Sequence, residues 1–394
     1  MTRRASLDAV LGYAWHGGEF TATDALQSVG LTRSTTIDAI DELVAIGLLE
    51  ELPNARAAGE YRKGRPARRF CLRADAGVVV GIDAGHRRMA VTVADLRGDA
   101  VAHACRTLDL RDDGADSRRR AVVEAVSAAL EDAGRSRSEI VALCAGVPAP
   151  VNRHGESPSH PAGFWQRMNP DLGELLAQWA PYVRIENDAS LAAAAEGAVG
   201  AAAGCRDYVA LLAGARLGAG VVIDGHLLKG AHGGVGEMLA FDHVEEVHGA
   251  IGLGHRAAQW AREAIAEGRV DPDGLLAALD PDDVDGRRVL ELAAQGDPDA
   301  QLIADRVGLM LARIVSVLGS MYDPSRVIVC GAISAGIGAV VETARGAFPA
   351  ELDLPAPELH ISQLGVDIVT TGAVVTALDL AHAHALDLRL AESA

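Results

Sequence analysis

Val183-Arg184-Ile185-Glu186-Asn187-Asp188-Ala189-Ser190-Leu191-Ala192-Ala193-Ala194-Ala195-Glu196-Gly197 decides the reading of this chain. An apolar approach, a polar triplet and an alanine-rich run read as strand, turn and helix. Asn187 or Asp188 is placed to cap the helix, accepting bonds from its free backbone N–H groups. An aspartate at the carboxyl end of a strand stands where open α/β sheets bind ligands. A plain N-cap accounts for the same residues equally well, and the flanking segments must decide.

Those segments repeat one pattern. Val78–Asp83 reads as a buried strand with Met89–Asp95 as its hairpin partner, followed by an amphipathic helix over Arg118–Ala133 and a strand over Val141–Pro148 that ends in a tight turn. Tyr208–Ala213 is a strand that leads into a glycine-rich loop, Gly214–Gly220, a second strand, Val221–Ile223, and a turn at Asp224-Gly225. Helices are expected through Gln259–Ala266 and Asp299–Met321, then a late strand, Val327–Gly331, and a closing helix around Thr371–Leu386. Pro281–Arg288 and Leu354–Glu358 read as surface connections. Two copies of strand, hairpin and helix predict a duplicated α/β scaffold.

Ahead of it lies a different texture. Leu7, Val10, Leu11 and Ala14 fall at helical spacing up to Gly17-Gly18. A second helix starts with Thr21 and Asp24 in capping-box spacing and ends at Gly30. Thr32 caps a third, with Ile37, Ile40, Leu43 and Val44 as its buried stripe and Gly47 as its stop. Leu48–Leu52 and Arg69–Leu72 read as short strands around a basic loop, Arg62-Lys63-Gly64-Arg65-Pro66. Three short helices and a basic hairpin predict a winged helix-turn-helix. Its third helix would enter the major groove of double-stranded DNA with Arg33, Ser34, Thr35 and Thr36, while Arg62, Lys63 and Arg65 reach phosphates or a minor groove. A winged helix used for protein contacts is the competing reading, because the third helix also carries Asp38, Asp41 and Glu42.

Of the 394 residues, 49% are apolar, which fits a globular chain of two or three domains. The net charge is −18, yet residues 1–75 carry ten basic and ten acidic side chains, so the body holds all of it. Within the neutral head, Arg56, Arg62, Lys63, Arg65, Arg68, Arg69 and Arg73 face one local acid, Glu60. No apolar run is expected to span a membrane, and the N-terminus leads into an amphipathic helix without a secretory core. Cys71, Cys105, Cys144, Cys205 and Cys330 form no Cys-x-x-Cys pair, which predicts a reducing, cytoplasmic setting.

These residues resemble the ROK family of bacterial sugar kinases and sugar-responsive repressors. Glu186-Asn187-Asp188-Ala189 matches its Glu-Asn-Asp-Ala segment and Gly233-Gly234-Val235-Gly236-Glu237 its Gly-x-x-Gly-Glu segment; Gly146-Val147-Pro148 and Asp224-Gly225 also fit. The resemblance implies an α/β fold: an N-terminal winged helix-turn-helix (1–75) and a two-lobed actin/hexokinase-like, duplicated ribonuclease H-like body. Its smaller lobe would be 76–185 plus a C-terminal helix of about 371–394, and its larger lobe 186–370. It also implies that Asn187, Asp188 and Glu237 contact sugar hydroxyls, with Asp188 in the place of the base in family members that phosphorylate sugars. Carboxylates and amide oxygens suit a polyol's many donors.

The departures are as informative. The kinases carry Asp-x-Gly-Gly-Thr where this chain has Asp83-Ala84-Gly85-His86-Arg87, a glycine where it has Arg216, and Gly-Gly where it has Gly331-Ala332. Glycine lets backbone approach an anion, and side chains there take the nucleotide's space; alternatively Arg87 and Arg216 attract a phosphate themselves. The family's zinc histidine is replaced by Ala240, Val247–Gly254 has no cysteine, and His243, His248 and His255 fit no zinc spacing. No metal and no cofactor are therefore expected. The expected function is a transcriptional regulator, a repressor, whose body binds a sugar or sugar derivative as effector and has lost kinase activity. A homodimer or dimer of dimers would present paired heads to an operator, with no membrane partner. The alternatives are an ATP-dependent sugar kinase with a regulatory DNA-binding head, and a regulator whose body only dimerises.

Overall fold

The computed structural model describes residues 2–53, 67–247, 249–280, 284–331, 336–348 and 354–392. Arg62, Lys63, Arg65 and His248 lie outside the described residues.

The head is built by short, well-capped helices. Helix α1 (Arg3–His16) starts at Thr2, whose hydroxyl accepts from the Ala5 amide, and stops at Gly17. Strand β1 (Phe20–Thr21) runs into α2 (Ala22–Val29), which opens on a full capping box between Thr21 and Asp24 and closes on Gly30 at φ 65°. Helix α3 (Arg33–Ala45) is capped by Thr32. Strands β2 (Leu49–Leu52) and β3 (Arg69–Leu72) pair antiparallel, and β1 adds to the far side of β3. That third strand is absent from the sequence reading because two residues carry no period.

The body contains two sheets of one design. The first orders β6 (Ala100–Thr107), β5 (Arg88–Asp95), β4 (Val78–Ala84), β7 (Ile140–Val147) and β8 (Tyr182–Asn187). The second orders β11 (His226–Leu227), β10 (Leu217–Ile223), β9 (Tyr208–Ala213), β12 (Arg326–Cys330) and β13 (Glu358–Ile361). In each, the first three strands in chain order form an antiparallel meander, and the last two run parallel to the first. Helices α4 (Ala115–Asp132), α5 (Phe164–Met168) and α6 (Leu172–Ala177) belong to the first lobe. Helices α8 (Leu253–Ala266), α9 (Gly286–Ala294), α10 (Pro298–Tyr322) and α11 (Gly338–Gly346) belong to the second.

Between the sheets lie α7 (Asp188–Val199) and α12 (Ile368–Glu392), packed on each other. Helix α12 covers β4 and β7, and α7 covers β9 and β10. Both need small residues at the seam. A Cβ on Gly220 of β10 would lie 2.3 Å from the Ala189 carbonyl oxygen, and one on Gly372 of α12 1.9 Å from that of Leu191. This corrects the expected loop at Gly214–Gly220. Leu217–Gly220 is strand, registered against Gly220↔Ala210 through Leu217↔Ala213, and its glycines serve helix packing. Similarly, Gly286–Arg288 opens α9 and Glu358 opens β13 where surface connections were expected. Helix α12 is also long and apolar enough, by length and composition alone, to cross a membrane, a property that buried core helices share. Its apolarity follows from packing on α7, β4 and β7 at once.

One core joins head and body. Leu7, Val10, Leu11 and Ala14 of α1 share a buried cluster with Ala377, Ala381, Ala385 and Leu386 of α12 and Leu191 of α7. Trp15 stacks on His382 with ring centroids 4.9 Å apart, Arg4 meets Asp387 at 2.6 Å, and Arg389 donates to the Ala76 carbonyl.

Candidate functional site

The site forms where β8 ends and α7 begins. Asn187 is the cap: its Oδ1 accepts from the Ser190 amide at 3.1 Å, and its Nδ2 donates to the Ala149 carbonyl at 3.1 Å. The side chain is thus fixed from both lobes of its amide. Asp188 is the first helical residue and accepts from the Ala189 amide at 2.8 Å through Oδ1. Just upstream, Glu186 is buried and takes an ion pair from Lys229 at 2.5 Å, which ties the loop after β11 to the end of β8.

That loop carries the third expected residue. Glu237 pairs through an isolated bridge with Gly218 of β10. The Gly-x-x-Gly-Glu spacing has a steric basis. Gly233 and Gly236 have φ of 75° and 86°; a Cβ on the first would lie 2.2 Å from the Val151 carbonyl oxygen, and on the second 1.7 Å from that of Ala219. Only glycine lets the loop press against both lobes and deliver Glu237 to the cleft.

Three carboxylates converge there. Burial, with Asp83 and Glu237 nearby, raises the Asp188 carboxyl to about 7. Burial raises Asp83 to about 6, opposed by Arg88 and Arg118. Burial also raises Glu237, opposed by Arg216. Half-buried carboxyls raised in this way, Asp188 to about 7 and Asp83 to about 6, can both donate to and accept from hydroxyl groups.

Several contributors escaped the sequence reading. Arg88 places Nη1 3.4 Å from Asp83 Oδ2 and Nη2 2.5 Å from Asp367 Oδ1, and donates to the Val366 carbonyl at 2.9 Å. It therefore links the end of β4 to the start of α12. Buried Arg118 of α4 donates to the Ala84 and Gly85 carbonyls and to that of Met168 at 3.0 Å. Burial lowers its pKa to about 10. His86 lies 3.7 Å from Asp113 and edge-on to Phe164. The only local signal for Arg88 is its place five residues past Asp83 in the hairpin; Arg118 has none.

Where zinc would need its ligands, the residues do not fit. Ala240 is exposed on a short 3-10 turn, and no group of three or more His, Cys, Asp or Glu side chains is arranged for a metal among the described residues.

In the head, Arg33 and Ser34 are exposed at the start of α3, and Thr35 is half-buried with its hydroxyl on that of Thr32 at 2.8 Å. Thr36, expected to face DNA, is instead buried and donates to the Thr32 carbonyl at 3.0 Å. Helical spacing turns it inward beside Ala39 and Ile40, which the sequence stripe through Ile37 misplaced. Two of the three acids of α3 are compensated: Glu42 by Arg3 at 2.5 Å and Asp41 by Arg68 at 2.7 Å. Arg68 also meets Glu51, Arg69 meets Glu19 and Arg73 meets Asp75. These three basic residues are spent inside the head.

A three-helix head with a short antiparallel sheet, joined to a two-lobed, actin-like body of two sheets of one design, defines the class. The chain belongs to the ROK family, whose family model matches residues 79–379. It is 28% identical over 275 residues to a glucokinase of Streptomyces coelicolor, covering 66% of this chain and 83% of that protein. It is 24% identical over 315 residues to a xylose repressor of Caldicellulosiruptor bescii, covering 76% of each. It is also 22% identical over 374 residues to the DNA-binding transcriptional dual regulator NagC of Escherichia coli, covering 86% of each. Among solved structures, a ROK family transcriptional regulator homologous to the E. coli MLC protein superposes with a TM-score of 0.76 at 17% identity, over 99% of this chain and 100% of that one. A glucokinase of Streptomyces griseus with glucose and AMPPNP gives 0.62 at 23% identity, over 77% of this chain and 100% of that one. The family relatives thus include both regulators and kinases.

Proposed function

We propose that this protein is a sugar-responsive transcriptional repressor whose cleft senses a sugar or sugar derivative through Asn187, Asp188 and Glu237 and no longer phosphorylates it. The observation that carries this reading is the head's continuity with the cleft. The α1 core runs into α12, and α12 begins at the Asp367–Arg88–Asp83 linkage. A ligand that prefers one lobe arrangement would move the start of α12 and with it the head. Arg33 and Ser34, together with Arg62, Lys63 and Arg65 of the basic loop, would contact a duplex operator. Paired heads of a homodimer, or a dimer of dimers, would fit a palindromic site.

The kinase reading keeps one support, a carboxyl near neutral pKa beside Glu237. Against it stand Arg87 and Arg216 in the positions where nucleotide phosphates need bare backbone. Phosphoryl transfer depends on that positioning. No metal or other cofactor is required by this proposal.

The deciding experiment selects duplexes from a randomised pool with the full-length protein, then measures affinity by fluorescence anisotropy against salt and a sugar panel. Saturable, salt-weakened binding that one sugar changes is expected. A coupled assay on the same preparation should show no sugar-dependent ATP turnover. Failure to enrich any duplex would sink the regulator reading, and turnover lost in Asp188→Ala would establish the kinase instead.

A further inference from the structure

We infer that a small organic acid with an apolar body binds between the head and the body, in a cavity remote from the sugar cleft. The site stands on its own geometry; only its effect on DNA rests on the regulator reading.

The cavity has a volume of about 620 Å³, inside the range of roughly 300–1,000 Å³ typical of small-molecule sites. Head, linker, first lobe and α12 all line it. Leu48 comes from the approach to β2, Ala76 from the linker after β3, residues 137–141 and 177–181 from the first lobe, and Ala385, Leu388 and Arg389 from α12. These walls are tied to one another. The Arg73 amide donates to the Leu48 carbonyl at 3.0 Å, and the Leu96 amide to the Ala74 carbonyl at 3.0 Å. Gly77 is pressed onto the start of β7, where a Cβ would lie 2.5 Å from Val141 Cγ2. Arg389 donates to the Ala76 carbonyl. The contacts that shape the cavity therefore also seat the head on the body. Ile140 opens β7 at the cavity, whereas Val147 closes it beside Asn187. The two sites stand at opposite ends of that strand, roughly 23 Å apart at about 3.3 Å per residue.

The lining is apolar around one open cation. Leu48, Leu96, Ile140, Val141 and Leu388 supply aliphatic surface, and Trp179 an aromatic face. Arg137 is exposed and lies over the Trp179 ring at 4.7 Å. Among the described residues, its guanidinium makes no hydrogen bond or ion pair. The lining's carboxylate, Glu139, is already taken: it accepts from the Ser136 amide at 2.7 Å and from Arg135 at 2.9 Å. The same capping box fixes the short turn that carries Arg137. Charge complementarity thus selects an anion, and the surrounding surface selects one with an apolar body. A carboxylate would take paired, charge-assisted bonds from Arg137 while its body covers Trp179 and Leu388. A sugar suits these walls poorly, because aliphatic surface leaves its hydroxyls unpaired. An acid lodged there touches head, linker, lobe and α12 at once, and so favours the seated head over any displaced one.

Calorimetry of the full-length protein tests this with 1-naphthoate and octanoate, the matching alcohols 1-naphthalenemethanol and octanol, and acetate. At least one acid should bind one molecule per chain, about tenfold or more tightly than its alcohol, and acetate should not saturate. Arg137→Ala should weaken that acid about tenfold, and Leu388→Trp, which fills the cavity, should abolish its binding. Asp188→Asn should leave it unchanged. Because Arg137 is exposed, its substitution decides the matter even where Leu388→Trp fails to fold. Equal affinities for acid and alcohol, no saturable binding of either acid, or binding untouched by Arg137→Ala would overturn the site. An affinity that falls as the protein is concentrated would give the cavity to a second copy of the chain and overturn it too. Operator affinity with and without the bound acid should differ; equal values would overturn the coupling to the head. Absence of any operator binding would count against the regulator reading alone, with the site still decided by calorimetry.

Discussion

At the scale of the residue, Asp188 holds the clearest consequence. Its carboxyl rises from a usual 3.8 to about 7 in the fold, mainly through burial and then through Asp83. The folded state therefore binds a proton that the unfolded state has released across that window. Stability contributed by the protonated form is present at the acidic end and is lost as pH climbs towards and past 7. Asp83, raised to about 6, adds a slope of the same sign. Asp188→Asn should raise the stability of the ligand-free protein at pH 8 by about 1–2 kcal/mol and flatten its dependence between pH 5 and 8. Denaturant midpoints across that range would read it, and an unchanged slope would refute the assigned burial. The same substitution should weaken sugar binding, because the paired acceptor is gone. In the head, two arginines separate by partner. Arg33 is exposed at the leading end of α3 and should lose about tenfold in operator affinity as Arg33→Ala. Arg68 holds Asp41 and Glu51 and lies over the Phe70 ring at 4.9 Å. Arg68→Ala should cost about 1 kcal/mol of stability and leave the slope of affinity against salt intact. Anisotropy and melting measured together distinguish the two, and a salt slope reduced by Arg68→Ala would contradict its structural role.

At the scale of the element, the loop from Lys229 to Glu237 bridges the two lobes through its contacts. It touches the first lobe twice, through Gly233 against Val151 and Lys229 against Glu186. It touches β10 through Gly236 against Ala219. Gly236→Ala would force a Cβ into the Ala219 carbonyl and strain a φ of 86°. The expected result is a displaced Glu237, at least tenfold weaker sugar binding and a melting point lowered by several degrees, while operator binding without ligand persists. Retained sugar affinity in a well-folded Gly236→Ala protein would show that Glu237 reaches the ligand by another route. Elements also mark where sequence patterns fell short. Strand β6 has the exposed, small-residue texture of a sheet edge, and Gly218 and Gly220 resembled a loop because glycine serves turns and tight helix packing alike.

At the scale of the whole molecule, α12 spans about 37 Å by its 25 residues and touches everything that matters. Its start meets the cleft through Asp367 and Arg88, its middle packs on α7 and the first sheet, and its end meets α1 through His382 and Asp387. Asp367→Asn should leave sugar binding and operator binding each within a few fold of the parent, yet shrink the effect of sugar on operator affinity. Measuring both affinities with and without ligand closes the thermodynamic cycle, and full coupling in the variant would exclude this path. The sequence by itself determined the architecture, because strand and helix periods, caps and Gly-x-x-Gly spacing are local properties of the chain. It also named Asn187, Asp188 and Glu237 as one group through motif resemblance. Only the tertiary structure decided which charges are already spent and which stay open. Arg88, Arg68 and Arg118 read no differently from Arg87, Arg33 and Arg216 along the chain. Their partners stand 5 to 279 positions away, and pairing at that separation is settled by packing.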